Sequence, residues 1–172
     1  MARDRWEKPR EPRTKIVSLR AAAARVARAR RGRARIVFTN GVFDLLHAGH
    51  ARVLDRARRL GDLLVVGLNS DASVRRLKGP ERPIVKQRNR ALMLAAFEAV
   101  DLVVIFGDDT PRRLIATLLP DVLVKGGDWK AGSIVGQDVV EGRGGRVVRV
   151  KVVAGLSTTA LVKAIRRSSG GR

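Results

Sequence analysis

The feature that most constrains the fold is a repeated alternation between two periodicities. Short runs are apolar at nearly every position: Ile36-Val37-Phe38-Thr39, Leu63 to Leu68, Leu102 to Phe106, Val122 to Lys125 and Val147 to Val153. Between them lie longer stretches with the amphipathic pattern of helices. A strand apolar on both faces must be covered on both, and the intervening helices are the elements available to do so. The chain therefore reads as α/β, with a doubly wound parallel sheet of Rossmann-like type. At 172 residues it has room for a single such domain.

Local signals set the expected boundaries. Ser18 caps a helix over Leu19 to Arg31, which Gly32 stops. A second helix runs from Ala48 to Leu60, and Asp71 caps a short third one. Arg88 to Ala99 forms the next, and Thr110-Pro111 opens another that ends at Leu119. Ser157 caps a closing helix. Gly79 to Lys86, with two prolines, and the glycine-rich Gly126 to Gly136 are expected loops. Residues 1–14 are expected to be a basic disordered tail, 15–167 the domain and 168–172 a frayed end.

Composition narrows the chemistry. The absence of cysteine excludes a disulfide scaffold, a thiolate metal site and cysteine catalysis. No apolar run reaches membrane-spanning length and no apolar signal segment follows the basic N-terminus, so a soluble cytoplasmic protein without a membrane partner is expected. The net charge is +20, and Met1 to Arg35, with 13 basic and 3 acidic side chains, carries half of it. That arm reads either as compositional bias or as a polyanion-binding surface. The six aromatics (Trp6, Phe38, Phe43, Phe97, Phe106 and Trp129) are scattered and make no base-stacking platform, so nucleic acid is not the expected partner.

Ligands of doubly wound sheets bind at the carboxyl ends of the strands. After the first strand comes Thr39-Asn40-Gly41-Val42-Phe43-Asp44-Leu45-Leu46-His47-Ala48-Gly49-His50, which contains the only two histidines of the chain. Three residues apart at a helix start, His47 and His50 share one face of the first turn. Gly49 between them leaves the backbone open to a phosphate. Such a pair suits a clamp for a phosphoryl group that gains charge in a transition state. It equally suits ordinary capping histidines, or a zinc site if a carboxylate such as Asp44 supplies the third ligand.

The longer pattern is more specific. TNGVFDLLHAGH resembles the HxGH signature of the nucleotidyltransferase superfamily, which includes glycerol-3-phosphate cytidylyltransferase and pantetheine-phosphate adenylyltransferase. Leu156-Ser157-Thr158-Thr159 resembles the family's I-S-T-T at the last helix. Lys125-Gly126-Gly127-Asp128-Trp129 resembles the K-G-G-D-aromatic stretch after the fourth strand. Taken together, GVFDLLHAGH, NSDASVRRLKG, DTPRRLIATLLPDVLVKGGDW and STT look most like D-glycero-β-D-manno-heptose 1-phosphate adenylyltransferase, often the second half of a fused kinase–adenylyltransferase. A sugar kinase does not fit in 172 residues, so the resemblance implies a stand-alone form with its kinase on a separate chain. Trp129 is closer to the glycerol-3-phosphate cytidylyltransferases. Those, however, carry an arginine where this chain has Val152, and read G-D-D-W where it has Gly126-Gly127-Asp128-Trp129.

The resemblance implies transfer of AMP from ATP to the sugar 1-phosphate with release of pyrophosphate, Mg²⁺ arriving with ATP, and a homodimer. It implies that His47, His50 and Lys78 meet the reacting phosphates, with Lys78 on a loop after the second strand. Thr39, Asn40, Gly41, Phe43 and Gly49 line the nucleotide path. Asp44 orients the motif or helps hold Mg²⁺. Arg90 reaches the nucleotide phosphates, although Arg88 stands where the family commonly has Glu. Lys125, Gly126 and Asp128 shape the ribose and base pocket, and Trp129 stacks on the ligand or covers the core. Ser157, Thr158 and Thr159 offer hydroxyls and amides to an anion. The rival of a different class is a basic nucleic-acid-binding module built on the segment Leu19 to Arg35.

Overall fold

A computed structural model describes residues 11–127, 134–151 and 158–169. Five parallel strands lie in the order β3-β2-β1-β4-β5: β1 (Ile36–Gly41), β2 (Leu63–Asn69), β3 (Leu102–Phe106), β4 (Val122–Gly126) and β5 (Arg146–Val150). The helices are α1 (Leu19–Arg31), α2 (Ala48–Arg58), α3 (Asp71–Lys78), α4 (Gln87–Ala96), α5 (Arg112–Leu118), α6 (Gln137–Glu141) and α7 (Thr158–Ser169). The α/β doubly wound reading holds. Strand order reverses between β1 and β4, so the crevice for a ligand opens beyond Gly41 and Gly126.

Strand alternation builds two cores. Val37, Leu64, Val66, Leu68, Val103 and Val124 pack with Val53, Leu54 and Ala57 of α2 and Ala91, Leu94 and Ala95 of α4. Ile36, Phe38, Val65, Val104 and Leu123 pack on the other face with Ala22 and Val26 of α1 and Leu114, Ile115 and Leu118 of α5. Both sheet faces are thereby covered, which is why the strands are apolar at successive positions. The strand starts are tied by carboxylates: Asp62, Asp101 and Asp121 accept from the amides of Arg35, Leu64 and Ile36 at 2.7, 2.9 and 2.7 Å. Among the described residues, no helix is long and apolar enough to cross a membrane.

Several expected boundaries move. The last residues of the expected tail enter a 3₁₀ turn over Pro12–Lys15, and a parallel bridge joins Ile16 to Val103 at the sheet edge. Ser18 caps α1 as expected, accepting from Ala21 N–H at 3.2 Å. Because Ala22 and Val26 of α1 are buried, this helix is a layer of the domain and not a detachable basic arm. Helix α4 ends at Ala96, short of Ala99, because Phe97 turns to an extended conformation, and its carbonyl accepts from Lys15 Nζ at 3.0 Å. Helix α5 starts at Arg112 with Pro111 as its N-cap, without a cap from Thr110. Helix α6 follows the glycine-rich stretch, where no periodicity marks it. Helix α7 continues to Ser169, past the expected fraying point at Ser168.

Candidate active site

The site grows from the end of the central strand. Thr39 is buried, in register with Val66 on one side and Val124 on the other. Asn40 follows at the strand-order reversal, where Lys125 Nζ of β4 donates to its Oδ1. Burial lowers the Lys125 pKa to about 8. A Cβ at Gly41 would stand 3.0 Å from the Phe43 ring, so a side chain there requires that ring to give way. Phe43 is held at φ 48, a left-handed conformation unfavourable for a bulky residue. This turn swings the chain from the strand into α2 and leaves the Phe43 ring centroid 5.1 Å from that of His50.

His47 is the N-cap of α2, and its Nδ1 accepts from the Gly49 amide at 3.1 Å. That bond assigns its ring proton to Nε2. The two imidazoles are stacked, with centroids 3.9 Å apart and planes 27° from parallel. His50 Nδ1 is buried and has no partner among the described residues. A buried N–H without an acceptor costs more than an idle lone pair, which favours the same Nε2–H tautomer in His50. Burial lowers the pKa of His47, and burial followed by the adjacent His47 lowers that of His50 to about 4. Both rings are therefore neutral N–H donors at neutral pH.

Helix α7 reaches this turn: Thr158 Oγ1 donates to the Leu45 carbonyl at 3.4 Å. The two sequence motifs, 113 residues apart, thus meet at the carboxyl end of the sheet. Ser157, Asp128 and Trp129, the side chain of Thr159, and Val152 lie outside the described residues. Gly126 ends β4 beside Val150, and Gly49 is buried in the first turn of α2. Lys78 is the exposed last residue of α3, rather than part of a loop; the chain leaves that helix at Gly79, φ 95.

Two of the candidate residues are engaged within the protein itself. The Asp44 carboxylate is buried and occupied: it accepts from Arg82 Nε at 2.6 Å and from the Ile84 and Val85 amides at 3.0 and 2.9 Å. Burial by itself would raise its pKa, but the Val85 and Ile84 amides and the Arg82 guanidinium hold it lower. These contacts anchor the segment 82–85 to the turn that carries the histidines, which fits the motif-orienting role. Arg90 is 0% exposed. It donates to the carbonyls of Val85, Val42 and Asn69 at 2.8, 2.6 and 2.9 Å, and to Asp71 Oδ1 at 2.7 Å. In this structure it ties the end of β2 and the start of α4 to the turn that carries the histidines.

Sequence reasoning missed Arg82 and Gln87, and took Asp71 only for the cap of α3; that cap is Ser70, whose Oγ accepts from Ser73 N–H at 3.2 Å, with Asp71 the first helical residue. Asp71 and Gln87 exchange bonds between backbone amides and side-chain oxygens, each 2.8 Å long, locking the start of α3 to the start of α4. Arg88 is exposed in the first turn of α4, so its charge is not part of this lock. These partners are 16 and 38 residues apart in sequence, beyond any local pattern.

A family model described as cytidylyltransferase-like matches residues 38–164. The bifunctional protein HldE of Geotalea uraniireducens is 58% identical over 155 residues, which are 90% of this chain and 32% of that protein. The chain thus spans about a third of the length of this curated relative. Among solved structures, the lipopolysaccharide core biosynthesis protein of Thermoplasma volcanium aligns with a TM-score of 0.57 and 28% identity, covering 70% of this chain and 97% of that one. Pantothenate synthetase of Thermus thermophilus aligns with a TM-score of 0.55 over 91% of this chain and 76% of that one; at 19% identity it shares the fold.

Proposed function

Because the chain belongs to the cytidylyltransferase-like family, we propose that it is a nucleotidyltransferase that moves AMP from ATP to D-glycero-β-D-manno-heptose 1-phosphate. The products are ADP-heptose, a surface-glycan precursor, and pyrophosphate. The observation that carries the reading is the stacked His47–His50 pair at the start of α2, beside the Lys125–Asn40 contact at the strand-order reversal. The choice of sugar rests on the motif resemblance and on the 58% identity to a bifunctional HldE protein. A homodimer belongs to the same reading.

The reaction is an in-line displacement. An oxygen of the sugar 1-phosphate attacks the α-phosphorus of ATP, a new P–O bond forms, and the bond to the β-phosphate oxygen breaks as pyrophosphate leaves. No covalent enzyme intermediate is needed; positioning and stabilisation of developing charge supply the rate. His47 and His50, neutral and protonated on Nε2, donate to the phosphate oxygens that gain charge. Being pre-organised by the Gly49 amide and by mutual stacking, they need little rearrangement in the transition state. The Lys125 ammonium adds positive charge at the nucleotide path, the exposed Lys78 approaches the phosphates from α3, and Thr158 brings the start of α7 to the same end. Mg²⁺ is carried by the ATP phosphates, since the Asp44 carboxylate is occupied.

The test is pyrophosphate release in the presence of Mg²⁺ from a matrix of ATP, CTP and GTP against sugar and polyol phosphates. Release confined to ATP with the heptose phosphate is expected. Release with CTP and glycerol 3-phosphate would keep the mechanism and replace the substrates. Silence across the matrix from folded protein would reject the reading.

A further inference from the structure

At the opposite end of the sheet, the amino ends of the strands border a concavity of about 560 Å³, lined by Arg30, Arg33, Arg35 and Arg146 together with Asp121. The Asp121 carboxylate is engaged: Oδ2 accepts from the Ile36 amide at 2.7 Å, and Oδ1 lies 3.9 Å from Arg30 Nη2. Arg30 also donates to the Leu119 carbonyl. The other three arginines are exposed, and their guanidinium groups have no hydrogen-bond or ion-pair partner among the described residues. Their backbones are nonetheless fixed. Arg33 is held at φ 60 by its amide bond to the Arg30 carbonyl at 2.8 Å, Arg35 by the Asp62 carboxylate at 2.7 Å, and Arg146 by the Asp121 carbonyl at 3.0 Å.

We propose that this concavity is a second anion site, which takes the phosphate chain of a small di- or triphosphate compound. Guanidinium groups without internal partners, converging on one hollow from ordered backbone, match the several oxygens of such a chain by paired N–H···O bonds. None of the residues lining it is aromatic, so it has no surface on which bases of a single strand would stack. Strand β1 separates Arg35 from the turn carrying the histidines, and its six residues span roughly 20 Å. A small ligand here therefore does not touch His47 or His50.

The test is calorimetric titration of the full chain at low salt with tripolyphosphate, ATP and a short single-stranded oligonucleotide. The proteins are wild type, the triple variant Arg33→Ala/Arg35→Ala/Arg146→Ala, its Arg→Lys counterpart, His50→Ala, and a control removing Arg56, Arg75 and Arg113, equally exposed elsewhere. One binding component is expected to weaken at least ~10-fold in the alanine triple variant and to survive in the lysine variant, His50→Ala and the control. The triple variant keeps its melting temperature and whatever pyrophosphate release the wild type has. ATP binding more tightly than tripolyphosphate at this component identifies a nucleotide as the source of the phosphate chain; equal binding identifies the chain alone. The proposal is overturned if the triple variant binds like wild type, if the control loses as much, or if the oligonucleotide binds this component more tightly than tripolyphosphate. None of the binding readouts depends on the sugar substrate, so this site and the proposed reaction fail separately.

Discussion

Lys125 Nζ donates to Asn40 Oδ1 across neighbouring strands that are 85 residues apart in the chain. The contact lies where the strand order reverses, and burial has lowered the lysine pKa to about 8. At neutral pH the ammonium is present for a phosphate; above pH 8 it is lost. The nucleotide kcat/KM is expected to fall along an alkaline limb with its midpoint near 8. Lys125→Arg, charged throughout, removes that limb. A wild-type profile that stays flat into the alkaline range excludes this role.

His50→Ala is expected to lower turnover by about 10²–10³-fold, the usual cost of one pre-organised donor to a developing oxyanion. Steady-state pyrophosphate release on protein with an unchanged circular dichroism spectrum is the measurement. Stability carries a second signature. The His50 pKa falls from 6.5 unfolded to about 4 folded, so between those values the unfolded chain binds the extra proton. Wild-type stability therefore declines as pH falls from 6.5 to 4, and His50→Ala shows less of that decline.

Arg90→Met is expected to destabilise the fold by about 3–5 kcal/mol, because it strips a buried ion pair of one partner and leaves carbonyls unsatisfied. Urea unfolding reads this directly. Arg88→Ala, on the exposed side of the same turn, should stay within about 0.5 kcal/mol of wild type. If Arg90→Met instead unfolds like wild type and changes only the ATP KM, the inward-facing guanidinium has been misassigned.

Asp44→Ala frees Arg82 and the Ile84 and Val85 amides, so the segment 79–86 is expected to loosen. Trypsin cleavage after Lys86 should quicken while the rest of the fold resists. The folded Asp44 pKa lies below its ordinary value of 3.8. Its stabilisation is therefore present above that value and lost as pH falls through the folded one. Wild type should lose this increment on acidification, and the alanine variant should have none to lose.

The linear order of residues carried the architecture and the place of the candidate site. Apolar runs at Ile36, Leu63, Leu102 and Val122 announced strands buried on both faces, and these are β1 to β4 within a residue or two at their ends. Ser18 and Gly32 bounded α1 because capping is a local affair of a few residues. The histidines were placed at the start of α2 for the same reason, since spacing along one helical turn needs no knowledge of anything else.

What the tertiary structure decided is which distant group answers each of these residues. Asp44 looked equally able to hold a metal or to orient a motif until Arg82, 38 residues on, proved to fill its oxygens. Arg90 sits on the expected helix, but the packing of α4 against β2 and the Val42 turn directs its guanidinium inward. The basic segment that resembled a nucleic-acid arm became a core layer once α1 lay down on the sheet, burying Ala22 and Val26. The lowered pKa values of Lys125 and His50 follow from burial, a property of the whole packed domain that no local pattern encodes. Periodicity and capping act over a few residues; partner choice and desolvation depend on strand order, which brings together chain segments far apart in sequence.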